Sequence, residues 1–318
     1  MIELRDITNA QRIITGRVHR TPLMSSMTLG RRTNTHLYFK VEVFQKTGSF
    51  KPRGVINKLH HLTEEERKRG VITISSGNQA QGLAYAASLF GISATVVMPH
   101  TTPANKVSAT KGYGAEVVFT EDALLTTCLE IQKERSLTMV HPFDDPHVVA
   151  GHGTIGLEIL DDLPKVDAVF VPVGGGGLIS GIATAIKLKK PAVKIIGVEP
   201  VGASAMWQSL QQKAAIHLSR MDTIAEALAA PFVGELNLAL VQRYVDELVL
   251  VSDDEMIEAL CLILEGNKIL AEPGGVAGFA ALLFKKVDIP SGSEVVCLLS
   301  GGNIDLSRLG HFLFKKRG

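Results

Sequence analysis

A lysine-bearing bend, residues 43–54, lies between a strand-like segment and a helix-like segment. Gly48 allows backbone angles that other residues avoid, and Pro52 pre-sets the first turn of a helix. Ser49 can cap that helix. Lys51 would then stand at a helix N-terminus, where the helix dipole disfavours an ammonium and lowers its pKa. Such an amine suits imine chemistry, whereas this stretch taken alone also fits an ordinary basic loop.

A second turn, residues 174–177, consists of four consecutive glycines between a predicted strand and a predicted helix. Consecutive glycines let backbone N–H groups converge at a helix N-terminus, so a phosphate is the natural ligand. No Gly-Lys-Ser/Thr sequence follows, which excludes a Walker motif. The spacing is also a poor dinucleotide fingerprint. Glu199, at the end of the next strand, could nevertheless bind a ribose, which keeps a nicotinamide-dependent dehydrogenase as an alternative.

Two further turns place hydroxyl and amide groups at the ends of predicted strands. One contains Ser76 and Asn78, and the other begins at Ser300. Ligands of open α/β sheets bind at the carboxyl ends of the strands, although either turn could simply cap a helix. The first turn suits a carboxylate or a ring oxygen, and the second suits a ring nitrogen. Together with the lysine and the glycine turn, they define a site for pyridoxal 5′-phosphate, whose aldehyde condenses with a lysine.

The elements that must position these groups alternate between strand and helix. Helices are predicted between most of the strands, and near the C-terminus they cover residues 253–271 and 275–285. Alternation at this spacing predicts an α/β fold with two lobes, each with a mostly parallel sheet flanked by helices. A sharp turn near residue 146 separates a small domain, 53–145, from a large cofactor-binding domain, 1–52 and 146–318. Strands are predicted at 37–43, 70–75, 94–99, 116–119, 137–140, 168–173, 194–199, 248–251 and 294–299.

Composition limits the possible partners. The 318 residues are 46% apolar with a net charge of +1, which gives no support for nucleic-acid or membrane binding. No signal-peptide pattern opens the chain. Cys128, Cys261 and Cys297 lie in apolar segments without metal-type spacing. They are interpreted as reduced core residues of a cytoplasmic protein.

The segment 44–54 closely resembles the lysine motif of the serine/threonine dehydratase and serine racemase family. These are pyridoxal-phosphate enzymes of fold type II, similar to the tryptophan synthase β chain. Segments 75–78, 151–158, 174–177 and 300–303 resemble further motifs of the family in the same order, so the resemblance spans nearly the whole chain. It implies a cofactor bound between the two lobes and a homodimer.

The resemblance also implies a role for each matched residue. Lys51 would form a Schiff base with the cofactor and then remove the Cα proton of the substrate, while Phe50 would stack near the ring. Asn78 would hydrogen-bond the phenolic oxygen of the ring, and Ser300 would face its nitrogen. The phosphate would accept N–H groups from Gly174, Gly175, Gly176, Gly177 and Leu178.

These roles imply a dehydratase, an ammonia-lyase that eliminates water from a β-hydroxy-α-amino acid such as L-threonine or L-serine. The products would be a 2-oxo acid and ammonia. Ser76 stands where family members that racemise return a proton to Cα from the face opposite the lysine. An amino-acid racemase that uses Lys51 and Ser76 is therefore an alternative, as is a ligand-binding protein without turnover.

Several positions depart from the family's pattern. Gln79 replaces a histidine, and His152 replaces a glutamine, which is interpreted as a change of small consequence at a helix start. Ala205 replaces the aspartate of a divalent-cation site that would include Glu199, so no metal is predicted. The segment 225–232 also differs from that of threonine enzymes, so a bulkier or related hydroxy amino acid is a possible substrate.

Overall fold

Strands and helices alternate along the chain in the computed structural model, which describes residues 1–315. The strands are β1 (Leu23–Ser25), β2 (His36–Val41), β3 (Val71–Ile74), β4 (Ala94–Pro99), β5 (Glu116–Thr120), β6 (Thr138–Met139), β7 (Ala168–Pro172), β8 (Lys194–Pro200), β9 (Glu247–Val251) and β10 (Glu294–Leu299). The α-helices are α1 (Leu4–Ile14), α2 (Met27–Thr33), α3 (Lys51–His60), α4 (Glu64–Arg69), α5 (Asn78–Phe90), α6 (Ala104–Gly112), α7 (Leu124–Arg135), α8 (Pro146–Asp162), α9 (Gly177–Lys189), α10 (Ala205–Gln212), α11 (Glu235–Tyr244), α12 (Asp253–Asn267), α13 (Ala277–Leu283) and α14 (Leu306–Lys315).

The larger sheet has six strands in the order β1-β2-β10-β7-β8-β9, and only the β1–β2 pair is antiparallel. Strand β7 and residues 295–299 of β10 are continuous apolar runs, which is typical of parallel strands whose two faces are covered by helices. Strand β10 pairs with both β2 and β7, with Cys297 opposite Phe39 on one side and Phe170 on the other. The turns that follow these three strands, near residues 45–50, 174–177 and 300–303, therefore meet at one edge of the sheet.

The smaller sheet has four parallel strands in the order β5-β4-β3-β6. All four lie between residues 71 and 139. The turn that carries Ser76 follows β3, at the carboxyl edge of this sheet. The predicted α/β fold with two parallel-sheet regions is confirmed, whereas the domain boundaries at residues 53 and 145 stay a prediction.

Several predicted elements have different bounds. The strand predicted at 37–43 ends at Val41, because a 3-10 turn covers Glu42–Phe44. The helices predicted at 253–271 and 275–285 are shorter in the structure, since α12 ends at Asn267 and a 3-10 turn precedes α13. Ser49 does not cap α3, whose N-cap is Phe50. Elements β1, α2, α10 and α11 were not predicted.

Within residues 1–315, none of the helices is both long and apolar enough to cross a lipid bilayer. All three cysteines are buried, as predicted, and none forms a disulfide bond within the described residues.

Candidate active site

A cavity of about 320 Å³ opens at the carboxyl ends of β3, β7 and β10. The elements that line it come from both sheets, and the segment 227–232 closes one side. The lining includes every predicted site residue: Phe50, Lys51, Ser76, Asn78, Gly174, Gly175, Gly176, Gly177, Leu178 and Ser300.

Lys51 is the first residue of α3, and its side chain faces the cavity. Its Nζ donates a hydrogen bond to the carbonyl oxygen of Pro142, at 2.7 Å, and lies 5.2 Å from the centre of the Phe50 ring. Among the described residues, no carboxylate forms an ion pair with it. Desolvation lowers the pKa of Lys51 to about 8. A lowered pKa was predicted, although burial rather than the helix dipole is the cause.

The glycine turn connects β7 to the N-terminus of α9. Gly176 has a φ of +91°, which favours glycine. A Cβ on Gly175 would lie 2.4 Å from the Phe143 ring, and one on Gly177 would lie 2.6 Å from the Phe143 carbonyl oxygen. The N–H groups of the first turn of α9 have no partners within the helix. The turn therefore offers N–H groups in a cradle that a larger residue would fill, which is the arrangement that binds a phosphate.

Asn78 is held from both ends of its side-chain amide. Its Nδ2 donates to Glu272 Oε1 at 2.6 Å, and its Oδ1 accepts from Asn303 Nδ2 at 2.8 Å. Asn303 also donates to the Thr47 carbonyl, 2.7 Å away, which ties this network to the lysine-bearing bend. Burial raises the pKa of Glu272. Sequence reasoning missed Glu272, since nothing local distinguishes it, whereas Asn303 belongs to the third predicted turn.

Ser300 follows β10 and is 4% exposed. Its carbonyl oxygen accepts the N–H of Phe50 at 3.1 Å, so the turn 300–303 and the lysine-bearing bend are joined directly. The serine hydroxyl makes no hydrogen bond within the described part of the chain and lines the cavity. It is therefore available to a ligand.

His152 is fully buried within α8, with its ring 4.7 Å from that of Phe50 in an edge-to-face contact. Burial and the nearby Lys51 charge hold the pKa of His152 well below its usual range, so the ring is neutral. The interpretation of His152 as a helix-start change is wrong, because α8 begins six positions earlier at Pro146 and the ring supports the cavity wall. Gln79 is also buried, and its amide atoms have no partner among the described residues.

One wall of the cavity is aromatic and aliphatic, and it includes the Phe143 ring that packs beside Gly175. Phe143 and Phe232 have ring centres 5.4 Å apart, and His141 contacts Phe143 edge-on at 4.6 Å. Lys106 also reaches the cavity, but its Nζ is paired with Glu226 at 2.9 Å. Leu124, Leu125 and Met139 complete this wall.

Glu199 lies outside the cavity lining and accepts the backbone N–H groups of Met206 and Trp207, at 2.9 and 2.7 Å. Its carboxylate therefore binds the start of α10, and burial raises its pKa to about 8. Within residues 1–315, no group of three or more His, Cys, Asp or Glu side chains is arranged to hold a metal ion.

A family profile described as "Pyridoxal-phosphate dependent enzyme" matches residues 14–301. The L-threonine ammonia-lyase of Thermotoga maritima is 47% identical over 318 residues, which cover 99% of this chain and 79% of that protein. A catabolic L-threonine dehydratase of Staphylococcus aureus is 45% identical over 97% of this chain and 91% of its own length. Among solved structures, maize serine racemase superposes with a TM-score of 0.93 at 37% identity, covering 99% of this chain and 98% of the other. Threonine deaminase isoform 2 from Solanum lycopersicum gives a TM-score of 0.91 at 38% identity, over 97% and 91% of the two chains.

Proposed function

The chain belongs to the family of pyridoxal-phosphate-dependent enzymes, and we propose that it is a dehydratase that removes water from L-threonine. The observation that carries this proposal is the cavity-facing Lys51, which forms no ion pair within the described residues and whose lowered pKa makes it a base near neutral pH. The similarity to threonine ammonia-lyases and dehydratases supports threonine as the substrate. The two parallel-sheet regions match the fold type II architecture of these enzymes.

The residues of the cavity fit pyridoxal phosphate. The glycine cradle 174–177 would hold the phosphate through backbone N–H groups, and Leu178 would extend this set. Asn78 and Ser300 would contact polar atoms of the ring. When bound, the cofactor supplies an aldehyde that captures the substrate amine and a conjugated ring that accepts the electron pair left at Cα.

Lys51 would remove the proton from Cα. With a pKa of about 8, roughly a tenth of this amine is unprotonated at pH 7, against far less for an ordinary lysine. The Pro142 carbonyl orients the amine, and the Phe50 ring flanks it. With the proton that Lys51 has taken from Cα, the β-hydroxyl group would leave the neighbouring carbon as water. Hydrolysis of the released unsaturated amine would then give the 2-oxo acid and ammonia.

The apolar wall suits a substrate with a small uncharged side chain. The methyl group of threonine would pack against Phe143 or Phe232. This contact would remove apolar surface of the methyl group and the ring from water, which favours binding. A second carboxylate on the substrate would need a cation, and Lys106 is already paired with Glu226. A bulkier apolar hydroxy amino acid remains the alternative substrate.

A racemase is the second candidate because Ser76 lines the cavity with a hydroxyl that has no partner within the described residues. Lys51 would remove the Cα proton, and Ser76 would return one from the opposite face. The likeness to maize serine racemase supports this candidate. Chiral chromatography of L-serine reactions separates the two: a racemase forms D-serine, and Ser76→Ala would abolish it while sparing 2-oxo acid release.

The proposed function is tested with purified protein loaded with pyridoxal phosphate and supplied with L-threonine. Release of the 2-oxo acid is expected, and Lys51→Ala should lower kcat by about a thousandfold or more. Lys46→Ala, an exposed lysine of the same bend, is the matched control and should retain activity. Turnover that survives in Lys51→Ala, or is absent from the loaded wild type with every hydroxy amino acid tried, would contradict the proposal.

The division into a large domain (1–52 and 146–318) and a small domain (53–145) is also proposed. It is supported by the four-stranded sheet, which lies entirely within the smaller range. We further propose a cytoplasmic homodimer. The three buried cysteines form no disulfide bond within the described residues, which supports a reducing compartment. The mass of the native particle by light scattering tests the dimer.

A further inference from the structure

The turn that follows β6 is folded around the ring of His141. Its Nδ1 accepts the backbone N–H of Asp144 at 2.8 Å and that of Phe143 at 3.3 Å. An imidazole that accepts at Nδ1 and is neutral carries its proton on Nε2. The ring is therefore held in one tautomer, and His141 is among the residues that line the cavity.

This turn contacts both chemical parts of the site. Its second residue, Pro142, presents the carbonyl that accepts the Lys51 Nζ at 2.7 Å. Its third residue, Phe143, accepts at its carbonyl from Asn237 Nδ2 at 3.0 Å, and the same amide donates to the Gly175 carbonyl, also at 3.0 Å. One short turn thus joins the lysine to the phosphate cradle.

We propose that His141 is a positioning residue for Lys51. Its Nδ1 gathers the N–H groups of the turn, and this aims the Pro142 carbonyl at the lysine Nζ. The inference rests on the proposed role of Lys51 as the base.

The packing of the turn explains why loss of the Nδ1 acceptor would alter the hydrogen bond between the Pro142 carbonyl and Lys51. The Phe143 ring fills the space beside Gly175, where even a Cβ would lie within 2.4 Å of it. The turn cannot move toward the cradle, so loss of the Nδ1 acceptor would move it away from the cradle and draw the Pro142 carbonyl from Lys51. Two unpaired N–H groups would also remain in a half-buried turn, which is costly.

The charges around His141 favour the neutral ring that this role needs. Burial lowers its pKa below the usual 6.5, and the Lys51 charge acts in the same direction. Asp144 and Asp145 oppose this shift without outweighing it. A protonated ring would have no acceptor at Nδ1, so the turn is formed by the neutral form at pH 7.

Three substitutions separate the acceptor from the shape of the ring. His141→Asn keeps an acceptor near the position of Nδ1, His141→Gln moves the amide toward the position of Nε2, and His141→Phe keeps the ring without an acceptor. Each variant is first compared with wild type by thermal unfolding of the full chain. The Asn variant keeps the test decisive if another fails to fold.

The first readout is independent of turnover. The pKa of Lys51 is measured in the cofactor-free full chain from the pH dependence of its labelling by an amine-reactive reagent, followed by mass spectrometry. A carbonyl acceptor stabilises the ammonium, so its loss in the Phe and Gln variants should lower this pKa by about half a unit or more. The Asn variant should stay within a few tenths of a unit of wild type.

The second readout is the loaded enzyme with L-threonine. We expect kcat to fall by about ten- to a hundredfold in the Phe and Gln variants, with KM within about threefold, and the Asn variant to recover most of kcat. The inference would be overturned if the Phe variant had the same kcat as wild type, or if the Asn variant had a kcat as low as that of the Phe variant. An unchanged Lys51 pKa alongside a lowered kcat would also overturn it. If wild type dehydrates no substrate but the Lys51 pKa is lowered in the Phe and Gln variants and unchanged in the Asn variant, the proposed function fails and the positioning role stands.

Discussion

Arg53 and Glu42 form an ion pair in which both side chains are completely buried, with Nη2 2.8 Å from Oε1. The same guanidinium holds Glu158 of α8 at 2.7 Å, and Lys40 of β2 reaches that carboxylate at 2.6 Å. Although burial alone would raise the pKa of Glu158, the Arg53 and Lys40 charges lower it. Because Arg53 follows Lys51 by two positions, this network fixes the start of α3 against the larger sheet.

Removal of the guanidinium should therefore destabilise the protein strongly. Arg53→Met leaves buried carboxylates without their partner, and we expect the free energy of unfolding to fall by about 3–5 kcal/mol in urea titrations. Arg220→Met is the matched control, because its partner Asp222 is 80% exposed and an exposed pair contributes about 0–1 kcal/mol. Similar losses in the two variants would show that the buried network is not a special source of stability.

The geometry of the glycine cradle predicts that one added methyl group will strongly weaken the binding of pyridoxal phosphate. Gly175→Ala places a Cβ against the Phe143 ring, at 2.4 Å without relaxation, so the turn must shift. We expect the Kd for pyridoxal phosphate, measured by equilibrium dialysis, to rise about tenfold or more. Gly112→Ala, with no atom within 4 Å of the new Cβ, should leave the Kd as it is. A Gly175→Ala protein that binds the cofactor normally would argue against the turn as its phosphate site.

The aromatic wall predicts a change of substrate preference. Phe232→Ala should enlarge the cavity beside Phe143, and the kcat/KM for 3-phenylserine relative to threonine should rise about tenfold. The comparison is made by 2-oxo acid release from each amino acid. Phe284→Ala removes a ring that is 37% exposed and outside the cavity lining, so it should keep the wild-type ratio. A ratio that falls or stays constant in Phe232→Ala would place the substrate side chain elsewhere.

Lys51 predicts a pH-dependent stability in the cofactor-free protein. Its pKa is about 8 in the folded chain and near the ordinary value of 10.5 when unfolded. Below pH 8 folding must therefore accommodate a partly buried, poorly solvated ammonium. Lys51→Met removes that cost and should stabilise the protein by about 1–3 kcal/mol there.

This gain should shrink as the pH rises from about 8 to 10.5, because the native lysine is then already neutral. Urea titrations at pH 7 and pH 10 measure it, with Lys46→Met as the control for an exposed lysine of the same bend. A gain of the same size at both pH values would mean that hydrophobic packing, rather than charge, accounts for it.

The strands and the glycine turns were predictable because their signals are local. Buried parallel strands such as β7 are continuous apolar runs, and the turn 174–177 has a composition with few other uses. Strand β1 has only three residues, and α10 and α11 lie in a segment whose mixed polarity gave no clear period.

Contacts between segments that are distant along the chain could not be predicted from the sequence. Glu272 is 194 residues from Asn78, and no pattern in either segment indicates their hydrogen bond. The acceptor role of His141 depends on the path of a turn rather than on a motif. Of the two lysines in the bend 43–54, the structure places Lys51, the one implied by the family motif, against the cavity, whereas Lys46 is exposed and outside its lining.

The position of β10 also sets when the site can be completed during synthesis. This strand is the last of the ten along the described residues, yet it is inserted between β2 and β7 and brings Ser300 to the backbone of Phe50. A nascent chain can form the four-stranded sheet once residue 139 has left the ribosome, since all of its strands are then present. The larger sheet cannot be completed until β10, which lies between β2 and β7 and ends at Leu299, has emerged. Lys51 is thus enclosed only after Leu299 has been made, so products truncated before β10 lack a finished active site.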